Sequence, residues 1–60
     1  MTHEDLKVGD KVMYQEDPHD EKVQAEVMKI EDGYVHFKDW DDFEWQEEFK
    51  DIPQTVIRKL

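Results

Sequence analysis

The sequence predicts a small all-β domain built from five short strands. Three observations favour this class: a length of 60 residues, segments in which apolar and polar residues alternate, and turn-forming residues between those segments. A chain of this size buries only about 60% of the surface that it exposes when unfolded, so we expect a single domain over residues 1–60. Residues 1–5 are expected to form a flexible tail.

The first strand is predicted within Leu6–Tyr14, after a turn at Gly9 and Asp10. The following residues, 15–22, contain no apolar side chain except Pro18. We therefore expect a long exposed loop between the first two strands.

The second strand is predicted to begin at Val23, where apolar and polar residues alternate as far as Val27. Met28 and Ile30 then continue the alternation in the opposite phase. A phase change inside one strand indicates a β-bulge or a sharp bend.

The third strand is predicted over residues 34–38, after a hairpin turn containing Asp32 and Gly33. Val35 and Phe37 are expected on its inner face. The outward residues of this strand are Tyr34, His36 and Lys38.

The rest of the chain is predicted as a turn over 39–42, a strand over 43–46, a short 3₁₀ or α turn within 47–54 and a last strand over 55–60. Pro53 limits any longer helix before the last strand.

This order of elements is typical of an SH3-like barrel, a five-stranded fold that nearly closes on itself. The principal alternative is a three-stranded meander with a helix over residues 41–51. We prefer the barrel because the helix would point Phe43 and Trp45 to opposite sides.

The motifs KVGDK at 7–11, AxVxxI at 25–30 and VxFxDWDDxE at 35–44 together resemble the Tudor domain over roughly residues 7–52. The resemblance implies an SH3-like barrel with an aromatic cage that binds methylated arginine or lysine by cation–π attraction. By position, Phe37 and Trp40 match two aromatic residues of that cage. Tyr14 and Tyr34 are the candidates for the missing walls, because the other cage positions fall at residues 15–16 and 23.

The aromatic residues divide into core and surface candidates. Phe37, Trp45 and Phe49 are expected mainly as core residues. Trp40 lies between two aspartates in a predicted turn, where a large apolar ring is expected to serve recognition. The candidate ligand-binding residues are therefore Tyr14, Tyr34, Phe37, Asp39, Trp40, Asp41 and Asp42.

The charge is strongly acidic, with a formal net charge of −9. Residues 39–51 alone hold seven carboxylates against Lys50. Such a balance disfavours direct binding to nucleic acid or to anionic membranes and favours a basic protein or peptide partner. An alternative is a small inhibitor that mimics nucleic acid, for example one encoded by a phage, and a third possibility is a structural subunit. A purely solubilising surface would carry the same charge.

Catalytic and metal sites are not expected. The chain has no cysteine and no serine, and no histidine is placed to activate Thr2 or Thr55. The aspartates at 39, 41 and 42 lack the glycine and glutamate of a calcium loop, and the three histidines lack zinc-site spacing. We therefore expect a non-catalytic cytoplasmic monomer with no cofactor, secretory signal or membrane span.

Overall fold

The computed structural model describes residues 1–60 and contains one antiparallel sheet of five strands. In chain order the strands are β1 (Lys11–Tyr14), β2 (Val23–Glu31), β3 (Tyr34–Asp39), β4 (Glu44–Glu48) and β5 (Val56–Lys59). Two 3₁₀ turns and one four-residue helix complete the chain: His3–Asp5, Phe49–Asp51 and α1 (Ile52–Thr55). The predicted β class, with a short helical turn before the last strand, is confirmed. None of the helical segments has the length and apolar character that crossing a bilayer requires.

The strand order across the sheet is β4-β3-β2-β1-β5. Strands β1 to β4 therefore form an up-and-down meander, and β5 returns to the far side of β1. β4 and β5 each pair on one side only, so the sheet is not closed into the predicted barrel. Residues 41–51 form β4 and a 3₁₀ turn, and the alternative helix is not formed.

The long strand β2 contains the bulge that the phase change predicted. Val27 pairs with Phe37, whereas Lys29 pairs with His36, so Met28 is the extra residue between two registers. The extra residue restores the inward phase for Ile30, which packs against the core. Without the bulge, the two halves of β2 would send their apolar side chains to opposite faces.

The core lies on one face of the sheet and consists of nine buried apolar side chains. Phe37 and Val35 of β3 have no exposed surface, as expected from their inward positions. Ile52 of α1 is also fully buried. Leu6, Val12, Tyr14, Ala25, Val27, Val35, Phe37, Ile52 and Val56 form this cluster.

Two turns depend on backbone conformations that favour glycine. Asp32 and Gly33 have φ angles of 52° and 83°, the positive pair that a two-residue hairpin requires. Gly9 has a φ of 94° in the turn before β1. In that turn the Asp10 carboxylate accepts a 2.9 Å hydrogen bond from the Lys7 N–H, which holds the pKa of Asp10 below its usual range.

Candidate functional site

The turn between β3 and β4 is organised by the side chain of Asp39. Its Oδ1 accepts hydrogen bonds from the N–H groups of Asp41 at 2.9 Å and Phe43 at 3.0 Å. Asp42 has a φ of 64° and donates its N–H to the Asp39 carbonyl at 3.1 Å. This is a three-residue hairpin loop with a left-handed residue at its third position. The loop leaves Trp40 81% exposed and Phe43 64% exposed.

A cavity of about 470 Å³ lies between β4, the end of β1 and the loop that follows β1. Its lining combines aromatic rings with carboxylates, and we call it the aromatic–acidic pocket. The lining residues are Tyr14, Glu16, Asp20, Glu21, Val23, Asp39, Phe43, Trp45, Gln46 and Glu47.

Three aromatic rings and Val23 form the apolar part of the aromatic–acidic pocket. Trp45 is the central ring, with centroids 5.0 Å from Tyr14 and 6.0 Å from Phe43. The fully buried ring of Phe37 stacks behind Trp45 at 5.7 Å and so fixes its position. The indole Nε1 of Trp45 is shielded from solvent and has no hydrogen-bond partner. The wall is therefore anchored in the core.

The hydroxyl of Tyr14 donates a hydrogen bond to Glu47 Oε1. Burial of the phenol raises the pKa of Tyr14, and the hydrogen bond and negative charge of Glu47 raise it further. The negative charge of Glu16 acts in the same direction. Tyr14 is therefore a neutral donor at physiological pH, and it orients the Glu47 carboxylate in the pocket wall.

The aromatic–acidic pocket carries negative charge that no basic residue of the chain neutralises. Five of its ten lining residues are carboxylates, and none is lysine, arginine or histidine. The four ion pairs of the protein lie elsewhere: Lys29–Glu31, Lys38–Asp42, Lys50–Glu48 and Lys59–Asp10. Aromatic faces and carboxylates that form no ion pair, brought together in one cavity, are the groups that attract an organic cation.

The structure separates the residues that the sequence suggested as one site. Tyr14 and Asp39 line the aromatic–acidic pocket, whereas Phe37 has no exposed surface and supports the wall from behind. Trp40 lines a second, smaller cavity of about 270 Å³, on the side of the sheet that carries Lys11 and Lys38.

The remaining predicted residues lie outside both cavities. Asp41 and Asp42 are exposed in the β3–β4 turn. Tyr34 begins β3 and pairs with Glu48, at the opposite end of the β3–β4 hairpin from the turn. Tyr34 is therefore far along the strand from the pocket that contains Tyr14.

Several pocket residues were not among the sequence candidates. Phe43 directly precedes β4, and Trp45 and Glu47 lie within it at the next alternate positions, so the period of a strand could have placed all three on one face. The loop residues Glu16, Asp20 and Glu21 carry no comparable signal, because their approach to β4 depends on how β1 and the loop pack in the folded sheet.

No group of three or more histidine, cysteine, aspartate or glutamate side chains is arranged to hold a metal ion. Comparison with known proteins adds no identity: no protein-family model, curated protein or solved structure matches the chain.

Proposed function

We propose that this protein is a non-catalytic interaction module that binds a cationic side chain of a basic protein or peptide in the aromatic–acidic pocket. The observation that carries the proposal is the composition of that pocket. Three aromatic residues and five carboxylates line it, no basic residue does, and none of the carboxylates is engaged in an ion pair.

The geometry favours a flat or diffuse organic cation. A guanidinium or alkylammonium group above the face of Trp45 or Phe43 gains about 0.5–1 kcal/mol at an exposed site and about 2 kcal/mol when desolvated. Both rings are accessible from the cavity, and the pair is stacked with an interplanar angle of 25°. The carboxylates add attraction at longer range, which raises the association rate more than the affinity.

We further infer that the fold is an SH3-like barrel of Tudor-like type, with an opening between β4 and β5. The strand order, the bulged second strand and the helical turn before β5 support this class. Tyr14, at the end of β1, supplies an aromatic wall next to the place where the Tudor resemblance expects one. Methylated arginine or lysine is then one form of the ligand, since methylation preserves the charge and the cation–π attraction.

Two exposed aromatic residues provide a matched test. Phe43 lines the aromatic–acidic pocket, whereas Trp40 is even more exposed and lies outside it. We expect Phe43→Ala to weaken binding of an arginine-rich peptide by about 2-fold to 5-fold, the equivalent of one exposed cation–π contact. Trp40→Ala should leave the affinity unchanged. The assay is calorimetric titration of both variants with the same peptide.

A larger loss of affinity for Trp40→Ala than for Phe43→Ala would contradict the proposed pocket. It would place the binding site at the β3–β4 turn instead. A mimic of nucleic acid predicts another result, in which neither aromatic variant changes the affinity for a basic partner. In that case binding should instead fall steeply with salt, because exposed charges are screened within about 10 Å at 0.1 M ionic strength.

A further inference from the structure

We propose that the cationic partner docks as an extended strand along the free edge of β4 and adds a sixth strand to the sheet. This inference rests on the proposed function and specifies the conformation of the partner. Strand addition supplies backbone hydrogen bonds for affinity, and alternate side chains of the added strand supply specificity.

The backbone of β4 presents an unpaired row of donors and acceptors. At one end of the β3–β4 ladder the Asp39 N–H donates to the Phe43 carbonyl at 3.0 Å. At the other end the Phe49 N–H donates to the Gly33 carbonyl at 3.0 Å. Antiparallel strands form hydrogen bonds through every second residue. The backbone N–H and C=O groups of the odd-numbered residues of β4 therefore point toward β3, and those of the even-numbered residues point away from it.

The outward backbone groups belong to Glu44, Gln46 and Glu48. These three residues are exposed, and no backbone hydrogen bond of a turn, loop or cap uses their atoms. Glu48 is also the N-cap of the 3₁₀ turn Phe49–Asp51, so its carbonyl accepts the first hydrogen bond of that turn. No strand pairs with this side of β4. Three N–H groups and the carbonyls of Glu44 and Gln46 thus remain available to an added strand.

The two faces of β4 define what the added strand must carry. Trp45 and Glu47 project toward the aromatic–acidic pocket, and Gln46 lies at its margin. Glu44 and Glu48 project from the opposite face. Because successive side chains of a strand alternate between faces, a docked strand would present one side chain to the pocket and its neighbours to Glu44 and Glu48.

Charge selects a basic partner over a second copy of this chain. Pairing of β4 with β4 would bring the carboxylates of Glu44, Glu47 and Glu48 together across the new interface. Like charges opposite one another destabilise strand pairs, and charged side chains are a common protection against edge-to-edge association. A strand with lysine or arginine at alternate positions removes this repulsion and gains ion pairs.

Amide hydrogen exchange tests the inference on the whole chain, with an acetylated octapeptide of alternating arginine and threonine as the probe. In the free protein, the amides of Trp45 and Glu47 should exchange slowly and those of Glu44, Gln46 and Glu48 rapidly. Saturating peptide should slow the latter three at least 10-fold. If these three amides already exchange slowly without peptide, and if their protection increases with protein concentration, a second copy of the chain occupies the edge. That result would overturn the proposal.

Peptide N-methylation separates this inference from the proposed function. Methylation of either all arginine or all threonine amides should lower the affinity at least 10-fold, whereas methylation of the other set should change it less than 2-fold, because only one set faces β4. If the peptide shifts the Trp45 indole signal but both methylated sets bind equally, the pocket stands and strand addition fails. If no peptide binds, both proposals fail.

A substitution in β4 tests whether the backbone of this strand bonds to the peptide. Gln46→Pro removes one outward N–H without removing a bond to β3, and proline is tolerated on edge strands at such positions. Gln46→Ala is the matched control, since it removes the side chain and keeps the N–H. We expect at least 5-fold weaker peptide binding for Gln46→Pro than for Gln46→Ala. Equal affinities would contradict strand addition, and the peptide experiment decides the question if the proline variant fails to fold.

Discussion

Removal of the Tyr14 hydroxyl should destabilise the fold by a measurable amount. The phenol is 5% exposed and donates to the Glu47 carboxylate. Hydrogen bonds to charged groups contribute about 1.5–3 kcal/mol to stability. Because the Glu47 side chain retains partial contact with water, we expect the lower end, about 1.5 kcal/mol, for Tyr14→Phe. In a domain of this size that loss lowers Tm by about 6–12 °C.

The same substitution should alter the stability at alkaline pH. Burial and Glu47 raise the pKa of Tyr14 in the folded state above its value in the unfolded chain. Stability from this difference is fully present below about pH 10 and is lost as the pH rises through the pKa of the folded state. One such group reduces the free energy of unfolding by about 1.4 kcal/mol per pH unit in that range. In the Tyr14→Phe variant, the free energy of unfolding should not show this decrease with rising pH.

Urea unfolding between pH 7 and pH 11, followed by tryptophan fluorescence, measures both effects. Glu47→Gln is the companion variant, because it keeps an acceptor but removes the charge. A double-mutant cycle should then show coupling of about 1 kcal/mol between the two positions. If Tyr14→Phe matches the parent protein in stability at pH 7 and in its alkaline slope, the Tyr14–Glu47 hydrogen bond does not stabilise the domain.

Three other substitutions test the turn, the surface and the core. Asp42→Gly should raise stability by about 0.5–1 kcal/mol, because glycine relieves the positive φ, and Asp41→Gly, without that φ, should not stabilise. Trp40→Ala should change the free energy of unfolding by less than about 0.5 kcal/mol, because its ring is exposed, and a larger loss would make Trp40 structural. Phe37→Ala should cost about 3–5 kcal/mol and leave little folded protein by circular dichroism; a cooperative transition near that of the parent would contradict its central place in the core.

The strands were predictable because each has its own local signal. Period-2 alternation identified β2 and β3, including the bulge at Met28, and Asp32-Gly33 identified the hairpin between them. The fourth strand was predicted two residues short at its end, because the four-residue spacing of Trp45 and Phe49 also suits one helical turn. The structure instead pairs Glu48 with Tyr34.

The site was less predictable because it depends on contacts between distant segments. Tyr14 and Glu47 are 33 residues apart, and only the folded sheet brings them together. Trp40 was predicted to serve recognition because it is an aromatic residue in a turn. The three-residue loop directs its ring away from the aromatic–acidic pocket. The order of strands β1 and β4 around the core decides which rings share a cavity, and no local pattern encodes it.

The most direct test of the account compares two peptides that differ only in charge. An arginine peptide and its citrulline counterpart have nearly the same shape, but citrulline is neutral. We predict about 10-fold tighter binding of the arginine peptide, from one cation–π contact together with the pocket carboxylates. Amide and indole shifts should concentrate at Tyr14, Phe43, Trp45 and Glu47. Equal affinities, or shifts confined to the turn around Trp40, would contradict the claim that this pocket recognises a cationic side chain.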